Sequence, residues 1–138
     1  MAITQTTCTS FKVELLTGTH DFNSDTFKIA LYTGSATLNA DTTAYSSTNE
    51  VSADGYTAGG NTLIVSPTPI SSGTIAYISF SSTSWSSALT ARGALIYNSS
   101  KSNKAIAVLD FGADKTSASV FTVNFPAPNQ TSAIVRIS

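Results

Sequence analysis

The sequence predicts a mainly β fold: an antiparallel β-sandwich or jelly-roll-like single domain with one short N-terminal helix. Three observations predict it. The 138 residues include 22 Ser and 21 Thr; Thr favours strands, and Ser favours turns and caps. Short runs of alternating apolar and polar residues recur along the chain, separated by Ser, Gly and Pro. Hydrophobic residues make up 41% and charged residues only 11%, so a core is available under a neutral, hydroxylated surface.

The elements follow in order. Residues 1–9 are Thr-rich and unpatterned, an N-terminal arm or a first edge strand; residues 10–138 form the single β-rich domain. "SFKVELLTG" predicts a short helix over 10–17, with Ser10 as cap, Phe11, Leu15 and Leu16 near one face, and Gly18 as a left-handed stop. A strand with Phe11, Val13 and Leu15 on one side is the alternative. "DTFKIALYTG" predicts a strand in which Phe27, Ile29 and Leu31 alternate with Lys28, Ala30 and Tyr32; its mildly polar second face implies partial burial on both sides. Residues 35–60 are small and polar, with room for one helical turn after Asp41. So long a connection in a small domain belongs to function or to an interface.

Strands are next expected around 61–66, ended by Pro67 and Pro69, and in "TIAYISFSSTSW". "ARGALIYN" and "KAIAVLDFG" are two strands joined by a hairpin at "SSKSN". "SVFTVNFPAP" and "TSAIVRIS" supply the last two. The predicted core comprises Phe27, Ile29, Leu31, Ile78, Phe80, Leu95, Leu109, Phe121, Val123 and Phe125, with the single Trp85.

Composition excludes several functions. The net charge is −1 and the basic residues are scattered, which speaks against nucleic acid and against a polybasic membrane contact. Apolar runs are too short for a membrane span, and "MAITQTTCTSFK" lacks the basic start and apolar core of a signal peptide. With one cysteine, Cys8, no intrachain disulfide forms, and the residue reads as a small buried hydrophobe.

Chemistry-bearing residues are few. His20 is the one histidine. It lies beside Asp21 in a turn with no nucleophile elbow elsewhere, and reads as a locally bonded turn residue. One His and one Cys do not make a zinc site. The carboxylates Asp21, Asp25, Asp41, Glu50 and Asp54 lack the spacing of a calcium loop. Asp110 and Asp114 read as a strand end followed by a turn rather than as a glycosidase pair. "NEVSADGYTAGG" (49–60) has neither the lysine of a phosphate loop nor a βαβ setting. It reads as a structured connector, its glycines allowing left-handed turns and close backbone approach and Tyr56 pinning it. No enzyme activity, metal or cofactor is expected.

Three blocks together, "SFKVELLTGTHDF", "DTFKIALYTGSATLNADTTAYSSTNEVSADGYTAGGNTL" and "ARGALIYNSSKSNKAIAVLDFGADK", resemble a family of small structural proteins of tailed-bacteriophage virions. The resemblance runs from about Cys8 to Lys115 and continues weakly through "FTVNFPA". It implies assembly rather than catalysis, with Gly18, Tyr32, Tyr56, Gly59, Gly60, Gly93 and Tyr97 in structural roles. The expected function is a capsid decoration or cement protein that stabilises contacts between major capsid subunits. Its partners would be the major capsid protein and copies of itself, in a virion assembled in the host cytoplasm. A tail, collar or fibre-associated protein touching host-surface sugars is the alternative. The expected interface residues are Ile3, Tyr45, Tyr56, Gly59 and Gly60, in the arm and the connector.

Overall fold

The computed structural model describes residues 2–138. In chain order the elements are β1 (Thr6–Thr7), α1 (Thr9–Leu16), β2 (Phe27–Tyr32), β3 (Asn61–Leu63), β4 (Ile70–Ser72), β5 (Ile75–Ile78), β6 (Thr83–Trp85), β7 (Thr90–Asn98), β8 (Lys104–Thr116), β9 (Phe121–Val123) and β10 (Val135–Ile137). The chain is mainly β and its strand ladders are antiparallel. A five-stranded sheet runs β1-β8-β7-β2-β3; smaller sheets run β10-β5-β4 and β6-β9.

The strand β2 is central because both its faces are apolar enough to bury. Phe27, Ile29 and Leu31 share a face with Asn98, Ile96 and Ala94 of β7, directly opposite them in register. On this side Phe27 lies 6.1 Å from Phe80, ring to ring, and the rings of Trp85 and Phe121 lie 6.3 Å apart in the same core. The other face carries Ala30 and Tyr32 opposite Leu95 and Gly93. Here the N-terminus and the connector close the sheet: Ile3 lies against Gly93, where a Cβ would stand 2.8 Å from Ile3 Cγ2, and Tyr45 stacks on Tyr97 at 4.8 Å.

The arm is thus part of the fold. Thr6 and Thr7 pair with Val108 and Ala107 of β8, and Ile3 bridges Leu38. Cys8, fully buried, sits at the helix N-cap without a side-chain cap. Its N–H bonds Ile106 O, which anchors α1 to β8. The expected cap, Ser10, lies inside the helix with its hydroxyl buried and unpartnered. Gly18 does adopt the left-handed φ (+71°) that ends the helix. Phe11 is buried, but Leu16 is 90% exposed: five residues on from Phe11 a helix has turned to its far side.

Of the predicted core, Leu109 and Phe125 are only partly buried. Beyond Val108, β8 has no β1 residue beside it, and Phe125 lies past the end of β9 with its ring 5.6 Å from Phe80. The region after Asp41 holds turns, not a helical turn. "LDFGADK" is not a strand end: Gly93 pairs with Asp110 while Ala91 pairs with Lys115, so residues 111–114 bulge out of a strand that continues to Thr116. Gly112 makes the bend at φ +82°. No strand among the described residues pairs with the outer edge of β8 over 111–116.

Candidate functional site

The connector 35–60 is built along the outer edge of β2. Glu50 bridges Tyr32, Val51 N–H bonds Leu31 O, and Thr33 N–H bonds Asn49 O. Nine residues later β3 takes up the same edge opposite Phe27, Lys28 and Ile29. Residues 52–60 therefore leave β2 and return to it. The Leu31 N–H, which this gap would strand, donates to Tyr56 Oη at 2.8 Å. One tyrosine hydroxyl replaces a missing ladder bond.

Glu50 holds the excursion shut. Tyr45 Oη–H donates to Oε1 at 2.7 Å; Tyr56 Oη–H and Gly59 N–H donate to Oε2 at 2.6 and 2.8 Å. Tyr97 Oη–H donates to Gly59 O at 2.6 Å. Burial and then the Glu50 carboxylate keep Tyr45 and Tyr56 well above the usual phenol pKa, and push Tyr97 up to about 12. These phenols are permanent donors at neutral pH. Gly60, at φ +79°, closes the loop so tightly that a Cβ there would fall 1.7 Å from Ile29 O.

The expected interface residues are thereby placed. Ile3 and Tyr56 are buried in the chain's own core at 7% and 8% exposure, so neither side chain has area left to offer a partner. Tyr45 is half-buried on Tyr97; Gly59 is buried and Gly60 half-buried in the loop closure. The structure brings Tyr45, Tyr56, Gly59 and Gly60 together around Glu50, and sets Ile3 apart against Gly93. Sequence reasoning weighed Glu50 only as a stray calcium oxygen. Its signal was position: an acid in an uncharged stretch, five residues after one tyrosine and six before another.

A second polar cluster joins α1 to the β7–β8 hairpin. His20, its side chain fully buried, contacts Glu14 Oε1 through Nε2 at 2.8 Å. Asn98 Oδ1 accepts from Ser100 N, which turns its amide nitrogen toward His20 Nδ1 (2.9 Å) and Asp25 Oδ2 (2.8 Å). The proton of His20 thus sits on Nε2, facing Glu14. Lys101 Nζ contacts both Asp25 oxygens at 2.8 and 2.9 Å. Burial opposes ionisation of Asp25, but the bonds from Lys101, Asn98 and Asp21 N outweigh it and carry its pKa down to about 2. His20 is therefore not a locally bonded turn residue; its partner Asn98 lies 78 residues away. Cys8, pushed up to about 11 by burial and by Glu14, remains a thiol at neutral pH. Each cluster spends its polar atoms on bonds within itself.

Two surface features remain. Val13, Leu16, Ile64, Ile70, Val120 and Ile137 are large apolar side chains left 49–90% exposed. On the connector, residues 35–49 surround an open cleft of about 470 Å³, floored by buried Tyr32, Ala36 and Leu38 and rimmed by exposed Ser35, Thr37, Asp41 and Thr43. Among the described residues no helix is long and apolar enough to cross a membrane. No protein-family model, curated protein or solved structure matches this chain.

Proposed function

We propose that the chain is a structural protein of a bacteriophage virion, a capsid decoration or cement protein stabilising contacts between major capsid subunits. The observation that carries the reading is the surface. It is nearly neutral and hydroxylated, yet it exposes several apolar side chains, with Leu16 exposed by 90%. A low-charge surface can pack against many copies without like-charge repulsion, and modest apolar contacts repeated over a symmetric shell sum to firm attachment. The sequence blocks that resemble virion proteins support the same reading. The arm and Tyr56 act within the fold, so the contacts fall to Leu16, Val13 and Val120 and to the bare β8 edge.

Quantitative gel densitometry of purified virions tests the reading. A copy number commensurate with the major capsid protein is expected; absence from the virion overturns the proposal. Leu16→Gln should weaken binding to expanded heads while leaving the thermal melt nearly unchanged, because this side chain is 90% exposed. A tail, collar or fibre-associated role is the second reading. The hydroxyl-rimmed cleft favours it, as does a copy number far below that of the capsid protein.

A further inference from the structure

We infer that the cleft of residues 35–49 is a binding site for a neutral saccharide. Its size, about 470 Å³, lies within the roughly 300–1,000 Å³ typical of small-ligand sites. Its chemistry is that of a polyol receptor. Ser35, Thr37, Asp41 and Thr43 line it and are exposed, and none of their side-chain oxygens makes a hydrogen bond to another described residue. Their neighbours are spent: Thr42 Oγ1 accepts from Asn39 N, Asn39 Oδ1 accepts from Asp41 N, and Ser46 and Thr48 bond each other. The bonded groups fix the walls, and the exposed, unbonded ones are free to meet a ligand.

A carboxylate beside three hydroxyls suits a ligand that is itself a set of hydroxyls. Asp41 can accept from two vicinal sugar hydroxyls at once, and the serine and threonine hydroxyls both donate and accept. Ala36, Leu38 and Ala44 give the C–H face of a sugar ring an apolar strip. The same charge sets the specificity. With no lysine or arginine lining the cleft, Asp41 repels phosphate, sulfate and carboxylate groups, while the hydroxylated rim offers little to an apolar ligand.

The walls are held by hydrogen bonds between lining residues and by one to the β7–β8 turn. Tyr32 Oη donates to Ser46 O at 2.7 Å, Asn49 Nδ2 donates to Ser35 O at 3.2 Å, and Tyr45 N–H bonds Asn103 O. The site is thus pre-formed on the main sheet, and binding orders little chain. The inference does not rest on the virion reading: the cleft can bind sugar wherever the protein sits.

The full chain, biotinylated and displayed on streptavidin so that avidity compensates for about millimolar single-site affinity, is passed over a printed array of neutral and anionic glycans. Retention of neutral glycans, with sialylated and sulfated ones excluded, is expected. Titration of the ¹⁵N-labelled protein with the best neutral glycan should shift amides within 35–49. Asp41→Ala should weaken binding about tenfold or more with no change in melting, since this exposed carboxylate bonds no other described residue; Thr37→Val should weaken it less. Failure to retain any neutral glycan overturns the inference. So do shifts mapping elsewhere on the protein, or an Asp41→Ala variant that binds as the parent does. Virion incorporation is unaffected by any of these results, so the two proposals fail separately.

Discussion

Replacing Glu50 with alanine removes the acceptor for three donors at 2.6–2.8 Å: Tyr45 Oη–H, Tyr56 Oη–H and Gly59 N–H. Tyr45 is half-buried and can turn to water. The Tyr56 hydroxyl and the Gly59 amide belong to buried residues, and each unsatisfied donor costs about 1–3 kcal/mol. Glu50→Ala should therefore destabilise the fold by about 2–6 kcal/mol, a large part of the roughly 5–15 kcal/mol expected for a domain. Glu50→Gln separates geometry from charge. Its amide oxygen can keep Tyr56 and Gly59, while its nitrogen donates to Tyr45 Oη, whose hydroxyl rotates to accept. Only charge assistance is lost, so about 1 kcal/mol is expected. Equilibrium urea unfolding at neutral pH, followed by fluorescence of Trp85, measures both. A Glu50→Ala variant within about 0.5 kcal/mol of the parent, or a glutamine variant as damaged as the alanine one, would refute the argument that this carboxylate clasps the connector.

Two further outcomes are expected. Gly60→Ala should cost more than about 3 kcal/mol, since it combines a left-handed φ with a Cβ placed on Ile29 O; a thermal melt near that of the parent would show that the loop closes otherwise. Asp25 should make stability acid-dependent. Its pKa is lowered from 3.8 to about 2, so the folded state gains stability above the unfolded pKa and loses it as pH falls toward 2. After solvent screening about 1–2 kcal/mol is involved, and the stability gap between the parent and Asp25→Asn, read by urea titration, should narrow from about pH 5 to pH 2.

The strand β2 was legible because six consecutive residues alternate without interruption, and the β7–β8 hairpin because "SSKSN" separates two apolar runs. Ser102 and Asn103 indeed carry the positive φ of a tight turn. The helix was legible to within a residue at each end. Strand β4 was not, since it follows Pro67 and Pro69, which mark a break, and the division of "TIAYISFSSTSW" into β5 and β6 leaves no mark in the sequence. Ile3 was misread for a different reason. A lone apolar residue among threonines carries no pattern, and its burial depends on a space that Gly93, ninety residues later, leaves open. Glu50 and Tyr56 were obscured likewise. The sequence marks the connector as unusual, but the shared carboxylate arises only when 45, 50, 56 and 59 converge on one edge of β2. The cleft is a property of how 35–49 is held, and Ser and Thr are too common in this chain to single it out.

The bulge in β8 has a bearing on what this open edge can accept. An exposed strand edge invites another strand, and a straight, uncharged one can recruit copies without limit. Here the open stretch is bent at Gly112 and bears Asp110, Asp114 and Lys115. Such an edge resists indiscriminate stacking, yet still offers backbone groups to a counterpart that follows its curve. An edge of this shape accepts only a strand that bends where it bends, so the kink selects a counterpart instead of extending the sheet freely.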